Sequence, residues 1–217
     1  MSKNVRFSDE LKQSNDVVWE KILNNSFVTE LTKNTLPRSK FSFYLNQDKL
    51  FLVAFYNLLS KTSAIQLDKE QKGLIESIIR GVRQEIQMQH EVLHELGGTA
   101  LSRIDTMHST AHDYASYLTR VSYSKDIHLI ISAIAPCPWT YYEISNSLSV
   151  SNVKSDIIRR WLKFYSSKES TIQVNQIKEI LNRMSLNVDD IKKRKMKYFF
   201  STSCDYELQF WNMAYSG

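Results

Sequence analysis

The sequence predicts an all-α, single-domain multi-helix bundle spanning residues 1–217, and three observations carry that reading. Apolar residues recur at spacings of three and four along almost the whole chain, and no long segment alternates with period two. Only 5 glycines and 3 prolines interrupt 217 residues, so the elements are long. No internal repeat, low-complexity tract or linker divides the chain, and its length allows one domain with a substantial core.

The periodicity places helices at 8–24, 27–33, 38–63, 68–96, 108–124, 126–149, 154–166, 170–184 and 187–214. Pro37 opens the third, Gly97 and Gly98 close the fourth, and Asp189 with Asp190 suits the first turn of the last. The helix at 126–149 bends at Pro136 and Pro138.

Composition narrows the function classes. The N-terminus, MSKNVRFSDELKQSND, lacks the apolar core of a signal peptide, and the longest apolar stretch, IHLIISAIAPCPW, is too short to span a bilayer. A cytoplasmic protein without membrane contact is the expectation. Cys137 and Cys204 form neither a disulfide framework nor a CxxC pair, so both read as free thiols. The net charge of +5 permits an anionic partner without demanding one. Its excess lies in DIKKRKMK, where Lys192, Lys193, Arg194, Lys195 and Lys197 read as the solvated face of a helix; nucleic acid is not the expected partner.

The stretch HEVLHELGG contains His90, Glu91 and His94 in the HExxH order of zinc hydrolases. On the helix at 68–96, however, the apolar stripe runs through Ile75, Ile78, Ile79, Val82, Ile86 and Leu93, with His90 at its edge and His94 outside it. A third ligand is also required, and the extended pattern would place histidine at position 100, where the chain has alanine. Asp113 is the remaining distant candidate. The preferred reading has no metal.

More informative are polar residues on apolar faces. Asp48 lies within the stripe Phe41, Leu45, Leu52, Phe55 and Leu59, and Glu207 lies within Phe200, Cys204, Trp211 and Ala214. A buried unpaired charge costs several kcal/mol, so each needs a partner, a shifted pKa or a cavity. A buried polar network tying helices together accounts for either carboxylate alone. Tyr114, Tyr141 and Tyr165 also fall on or beside apolar stripes; each alone reads as core. Together with the two acids they offer what a small flat heterocycle needs, ring faces to stack on and acids to bond its nitrogens. In APCPWTYYE, Pro138 as first helical residue would put Cys137 at a helix cap, where the dipole lowers a thiol pKa; the alternative is a small buried hydrophobe beside a kink.

The segments YLNQDKLFLVAF, TAHDYASYL, APCPWTYYE, IIRRWLKFY and YELQFWNMAY, in this order over nearly the whole chain, resemble the signature segments of the TenA family, the thiaminase II enzymes. The cysteine segment and the closing segment are the most specific. The resemblance implies a haem-oxygenase-like helical bundle, a homotetramer, and no metal or organic cofactor. It also implies hydrolysis of aminomethylpyrimidine to hydroxymethylpyrimidine and ammonia, and cleavage of thiamine to hydroxymethylpyrimidine and thiazole. Cys137 then resembles the nucleophile, Glu207 the acid and base, Asp48 the carboxylate for a ring nitrogen and exocyclic amine, and Tyr114, Tyr141 and Tyr165 the ring-binding tyrosines. An inward Glu207 implies a raised pKa. Two positions depart from the family pattern: Phe51, placed in the substrate site, stands where some relatives have tyrosine, and Ser166 with Ser167 replaces a common glycine pair. Rival readings are a nucleic-acid-associated regulator and a non-catalytic helical pyrimidine-binding protein.

Overall fold

The computed structural model describes residues 5–97, 106–148 and 153–217. Its elements are α1 (Phe7–Gln13), α2 (Asp16–Leu23), α3 (Ser26–Lys33), α4 (Arg38–Thr62), α5 (Lys69–Glu95), α6 (Ser109–Tyr123), α7 (Ile127–Ile134), α8 (Pro136–Ser147), α9 (Asp156–Tyr165), α10 (Lys168–Leu186) and α11 (Asp190–Ser216). No strand occurs among the described residues. The all-α prediction therefore holds.

Two expected helices are each two. The helix at 8–24 breaks at Ser14 and Asn15, where Asn15 Nδ2 donates to the Leu11 carbonyl at 2.7 Å, a side-chain bond that competes with the backbone ladder. The helix at 126–149 is interrupted at Ala135, with residue 149 outside the described residues. Pro136, not Pro138, takes the first position of α8, because a residue without N–H and with fixed φ is tolerated there. At this break the Ala133 carbonyl accepts Ser203 Oγ of α11 at 2.6 Å. That bond ties the break to the helix that carries Glu207.

The helix ends follow local chemistry. Asp68 and Gln71 form a reciprocal capping box before α5, and Asp189 accepts the Lys192 N–H before α11. Gly97, at φ 77°, follows α5 in the left-handed conformation that glycine adopts without penalty; Gly98 lies outside the described residues.

Helix α11 packs against α2, α4, α6, α7 and α8, and α4 packs along α5 and α6. Six consecutive residues of α7, Leu129 to Ile134, are buried, which explains its apolar run without a membrane. No helix among the described residues is long and apolar enough to cross one. At the centre, the Trp211 ring lies 5.5 Å from Tyr44, 5.5 Å from Phe27 and 5.0 Å from Tyr141. Such aromatic packing contributes beyond the burial of area alone, by about 0.5–1.5 kcal/mol per pair. It also leaves little freedom in the walls that enclose the polar groups described next.

Candidate active site

A cavity of about 910 Å³ opens between α5 and α10 and reaches inward to Asp48 on α4 and Cys137 on α8. Tyr141, Tyr165 and Glu85 also line it. Asp48 is 3% exposed, as its place on the apolar stripe requires. Its Oδ2 accepts Tyr44 OH at 3.0 Å and Gln89 Nε2 at 2.6 Å. Among the described residues Oδ1 has no such partner. Burial raises the Asp48 pKa from 3.8 to about 6, and the two hydrogen bonds oppose that rise.

Glu207 lies against Cys137 on the side of α11. Its Oε1 accepts Tyr114 OH at 2.8 Å, its Oε2 accepts Thr140 Oγ1 at 3.3 Å, and the Cys137 thiol lies beside the same carboxyl group. Thr140, one turn after Cys137, thus links α8 to α11. Burial raises the Glu207 pKa from 4.5 to about 8, with the Tyr114 hydrogen bond opposing and the Asp48 charge adding to the rise. The raised value expected from sequence is found.

For Cys137 the expectation reverses. It is the second residue of α8 rather than a cap, and its thiol pKa is pushed up rather than down. Burial is the main cause, followed by the charges of Glu207, Glu85 and Asp48. A helix terminus supplies only about half an elementary charge. Three carboxylates and a low dielectric outweigh it. The resting sulfur is therefore a thiol, and the Glu207 carboxyl beside it is itself protonated below about 8.

The aromatic residues divide into two groups. Tyr141 and Tyr165 form part of the wall, with ring centroids 4.9 Å apart, and the Tyr44 hydroxyl lies 3.3 Å from that of Tyr141. Tyr114 and Phe51 are packed off the open wall, 4.8 Å apart and stacked, with Tyr206 on the other face of Tyr114 at 5.1 Å. Phe51 is thus a support for Tyr114 in this arrangement. Cys204 is buried and outside the cavity lining. Ser166 and Ser167 have φ of −96° and −64°, so the backbone needs no glycine; Ser167 caps α10 by accepting the Ser170 N–H.

His90 and His94 are exposed, and Asp113 pairs with His112 at the surface, so the HExxH residues do not converge. Among the described residues no group of three or more His, Cys, Asp or Glu side chains is placed to hold a metal ion. Of the basic run, Lys192 pairs with Asp126 and Lys197 with Glu10.

The sequence reading missed Tyr44, Gln89 and Glu85. Glu85 accepts a hydrogen bond from Tyr165 OH, and its pKa is raised by burial and by the charges of Asp48 and Glu207. It lies three residues after Val82, at the edge of the α5 stripe as His90 does, whereas Gln89 falls inside the stripe, where the test that exposed Asp48 would have found it.

This geometry can be set beside known proteins. The TENA/THI-4/PQQC family matches residues 13–217. The chain belongs to that family. An aminopyrimidine aminohydrolase of Helicobacter pylori is 28% identical over 97% of this chain and 99% of its own. Among solved structures, a TenA homologue from Pyrococcus furiosus superposes with TM-score 0.87 at 24% identity, covering 96% of this chain and all of its own. A TenA homologue protein from P. horikoshii reaches 0.86 at 27% identity, covering 98% and 99%. The family match and these folds agree with the architecture predicted from periodicity.

Proposed function

We propose that this chain is a thiamine-salvage hydrolase of the thiaminase II type. It converts 4-amino-5-aminomethyl-2-methylpyrimidine to the 5-hydroxymethyl compound and ammonia, and cleaves thiamine to hydroxymethylpyrimidine and thiazole. The observation that carries this reading is that Cys137 and Asp48 line one tyrosine-walled cavity, with Glu207 buried beside Cys137 behind that lining. The name of the Helicobacter pylori relative supports the same substrate class.

The chemistry follows from the residue types. An amine on a methylene carbon is a poor leaving group unless the neighbouring ring can push electrons toward it. Asp48, with Oδ1 available, holds a ring nitrogen and the exocyclic amine, while Tyr141 and Tyr165 pack against the ring. Glu207 gives its proton to the ring as the Cys137 sulfur adds to the ring carbon beside the substituted one, and takes the thiol proton in return. A C–S bond forms. The ring electrons then create an exocyclic C=C bond while the bond to nitrogen breaks, releasing ammonia or thiazole. Water adds to the exocyclic carbon and passes one proton to a carboxylate. Sulfur departs with the C–S electron pair and regains its proton from Glu207, the ring nitrogen returns its proton to Glu207, and the aromatic ring is restored.

The protein is further proposed to act in the cytoplasm, as a homotetramer and without a cofactor. The test is chromatographic detection of hydroxymethylpyrimidine after incubating chelator-treated protein separately with aminomethylpyrimidine and thiamine, beside a folded Cys137→Ala variant. Product from the wild type alone supports the reading. Absence of product from both substrates with folded wild type rejects it.

A further inference from the structure

The proposed substrates share a feature beyond the pyrimidine. A primary alkyl amine is an ammonium near neutral pH, and thiazolium nitrogen is permanently cationic, so the group on the methylene carbon carries positive charge in both. The α5 side of the cavity offers that charge a specific neighbour.

On α5 the cavity wall runs from Glu70 to Glu85, about 22 Å of helix at 1.5 Å per residue. Glu70, Gly73 and Arg80 at the outer end are exposed. Glu85 is half-buried and is the last α5 residue of the wall in chain order. One turn further, Gln89 is fully buried and hydrogen-bonds Asp48. Glu85 thus lines the same cavity as Asp48 and Cys137, one turn before the glutamine that bonds Asp48, and it interacts electrostatically with both.

The bonding of Glu85 also lacks a counter-charge. Tyr165 OH donates to Oε1, fixing the carboxyl group from α9. Among the described residues no lysine or arginine forms an ion pair with it, whereas the charges acting on it include those of Asp48 and Glu207. Burial and those charges favour the protonated form of Glu85 in the empty site, and a cation entering here favours the ionised form and supplies the compensation that the fold omits.

We propose that Glu85 is a specificity-determining residue that recognises the positive charge of the leaving group, making the site select ammonium or quaternary nitrogen over neutral groups at the same carbon. This rests on the pyrimidine reaction proposed above.

Binding calorimetry at pH 7 tests it with two probes, aminomethylpyrimidine and hydroxymethylpyrimidine, which differ in the charge at that carbon. The proteins are Cys137→Ala, which binds without turnover, and Cys137→Ala combined with Glu85→Gln. The preference for the cationic probe, read as the ratio of Kd values, falls about tenfold or more on Glu85→Gln. An unchanged ratio, or equal weakening of both probes, overturns the assignment. Tyr165→Phe in the same background keeps the charge but removes its anchor, and lowers the ratio by a smaller factor. It decides the question if melting curves show that Glu85→Gln is unfolded: an unchanged ratio then overturns the assignment. If neither probe binds folded Cys137→Ala, the pyrimidine reading itself fails and takes this inference with it. If both bind with an unaltered ratio, only the role of Glu85 is lost.

Discussion

Two glutamates on either side of α8 meet very different company. Glu143, near the end of that helix, accepts Lys12 Nζ at 2.8 and 2.6 Å, Trp19 Nε1 at 2.9 Å and Trp139 Nε1 at 2.8 Å. Each of its oxygens has two donors, and one donor group is a cation. Glu207 accepts only hydroxyls, with the Cys137 thiol beside it, and the charge of Asp48 acts against its own. The first carboxylate fastens α1 and α2 to α8. The second is held in a state that a proton or a cationic ligand must complete. Burial alone does not separate a structural acid from a chemical one; the sign and number of its partners do.

The largest effect expected from this contrast is at Cys137, because its sulfur is the atom that bonds to the substrate. Cys137→Ala lowers kcat/KM for aminomethylpyrimidine by about 10³-fold or more, with the melting temperature close to wild type. A variant that keeps substantial turnover removes the nucleophile from the mechanism. Glu207→Gln comes next, with a loss of about 10²–10⁴-fold. Its diagnostic is the pH profile. Wild-type activity declines as pH rises through about 8, where Glu207 loses the proton it must donate, and that limb is absent in the variant. An identical limb in both proteins would assign it to another group.

How far the sequence revealed this contrast depended on the range of the interaction. Asp48 and Glu207 were legible because a carboxylate on an apolar stripe is anomalous within a single helix. Glu85 was less legible, because it sits at the edge of the α5 stripe, as His90 does. The rise in the Cys137 pKa was not legible. A helix start can be read from local sequence, but the carboxylates that oppose it arrive from α4, α5 and α11. Nor did the sequence disclose the break near Asn15, since the apolar spacing continues across it while a side-chain hydrogen bond ends the helix.

A third prediction concerns stability rather than turnover. Glu207 ionises at about 8 in the folded chain against an ordinary value of 4.5, and Asp48 at about 6 against 3.8. Between these limits the unfolded chain has released protons that the folded chain still holds, so stability falls as pH rises. The contribution of Glu207 is fully present below 4.5 and is lost as pH climbs toward about 8. Melting temperatures across this window should decline in wild type and decline less in Glu207→Gln. Parallel curves would show that Glu207 does not carry the linkage.

Glu143→Gln sharpens the comparison from the other side and should give the smallest effect. The amide keeps the shape and one acceptor oxygen but loses the charge facing Lys12 and two of the four accepted bonds. With the carboxylate 18% exposed, water replaces part of what is lost. The expected cost is about 1–2 kcal/mol, and a chain of this size converts each kcal/mol into about 2–4 °C of melting temperature. Because Glu143 holds α1 and α2 against the outer face of α8, while Thr140 holds its inner face, and Ser203 the end of α7, to α11, kcat/KM of the folded variant stays near wild type. Thermal melts and kinetics on the same preparation test both parts. A variant that melts normally but loses turnover would mean that Glu143 fixes the position of Cys137, and the boundary between the structural and the chemical carboxylate would have to be redrawn through α8 itself.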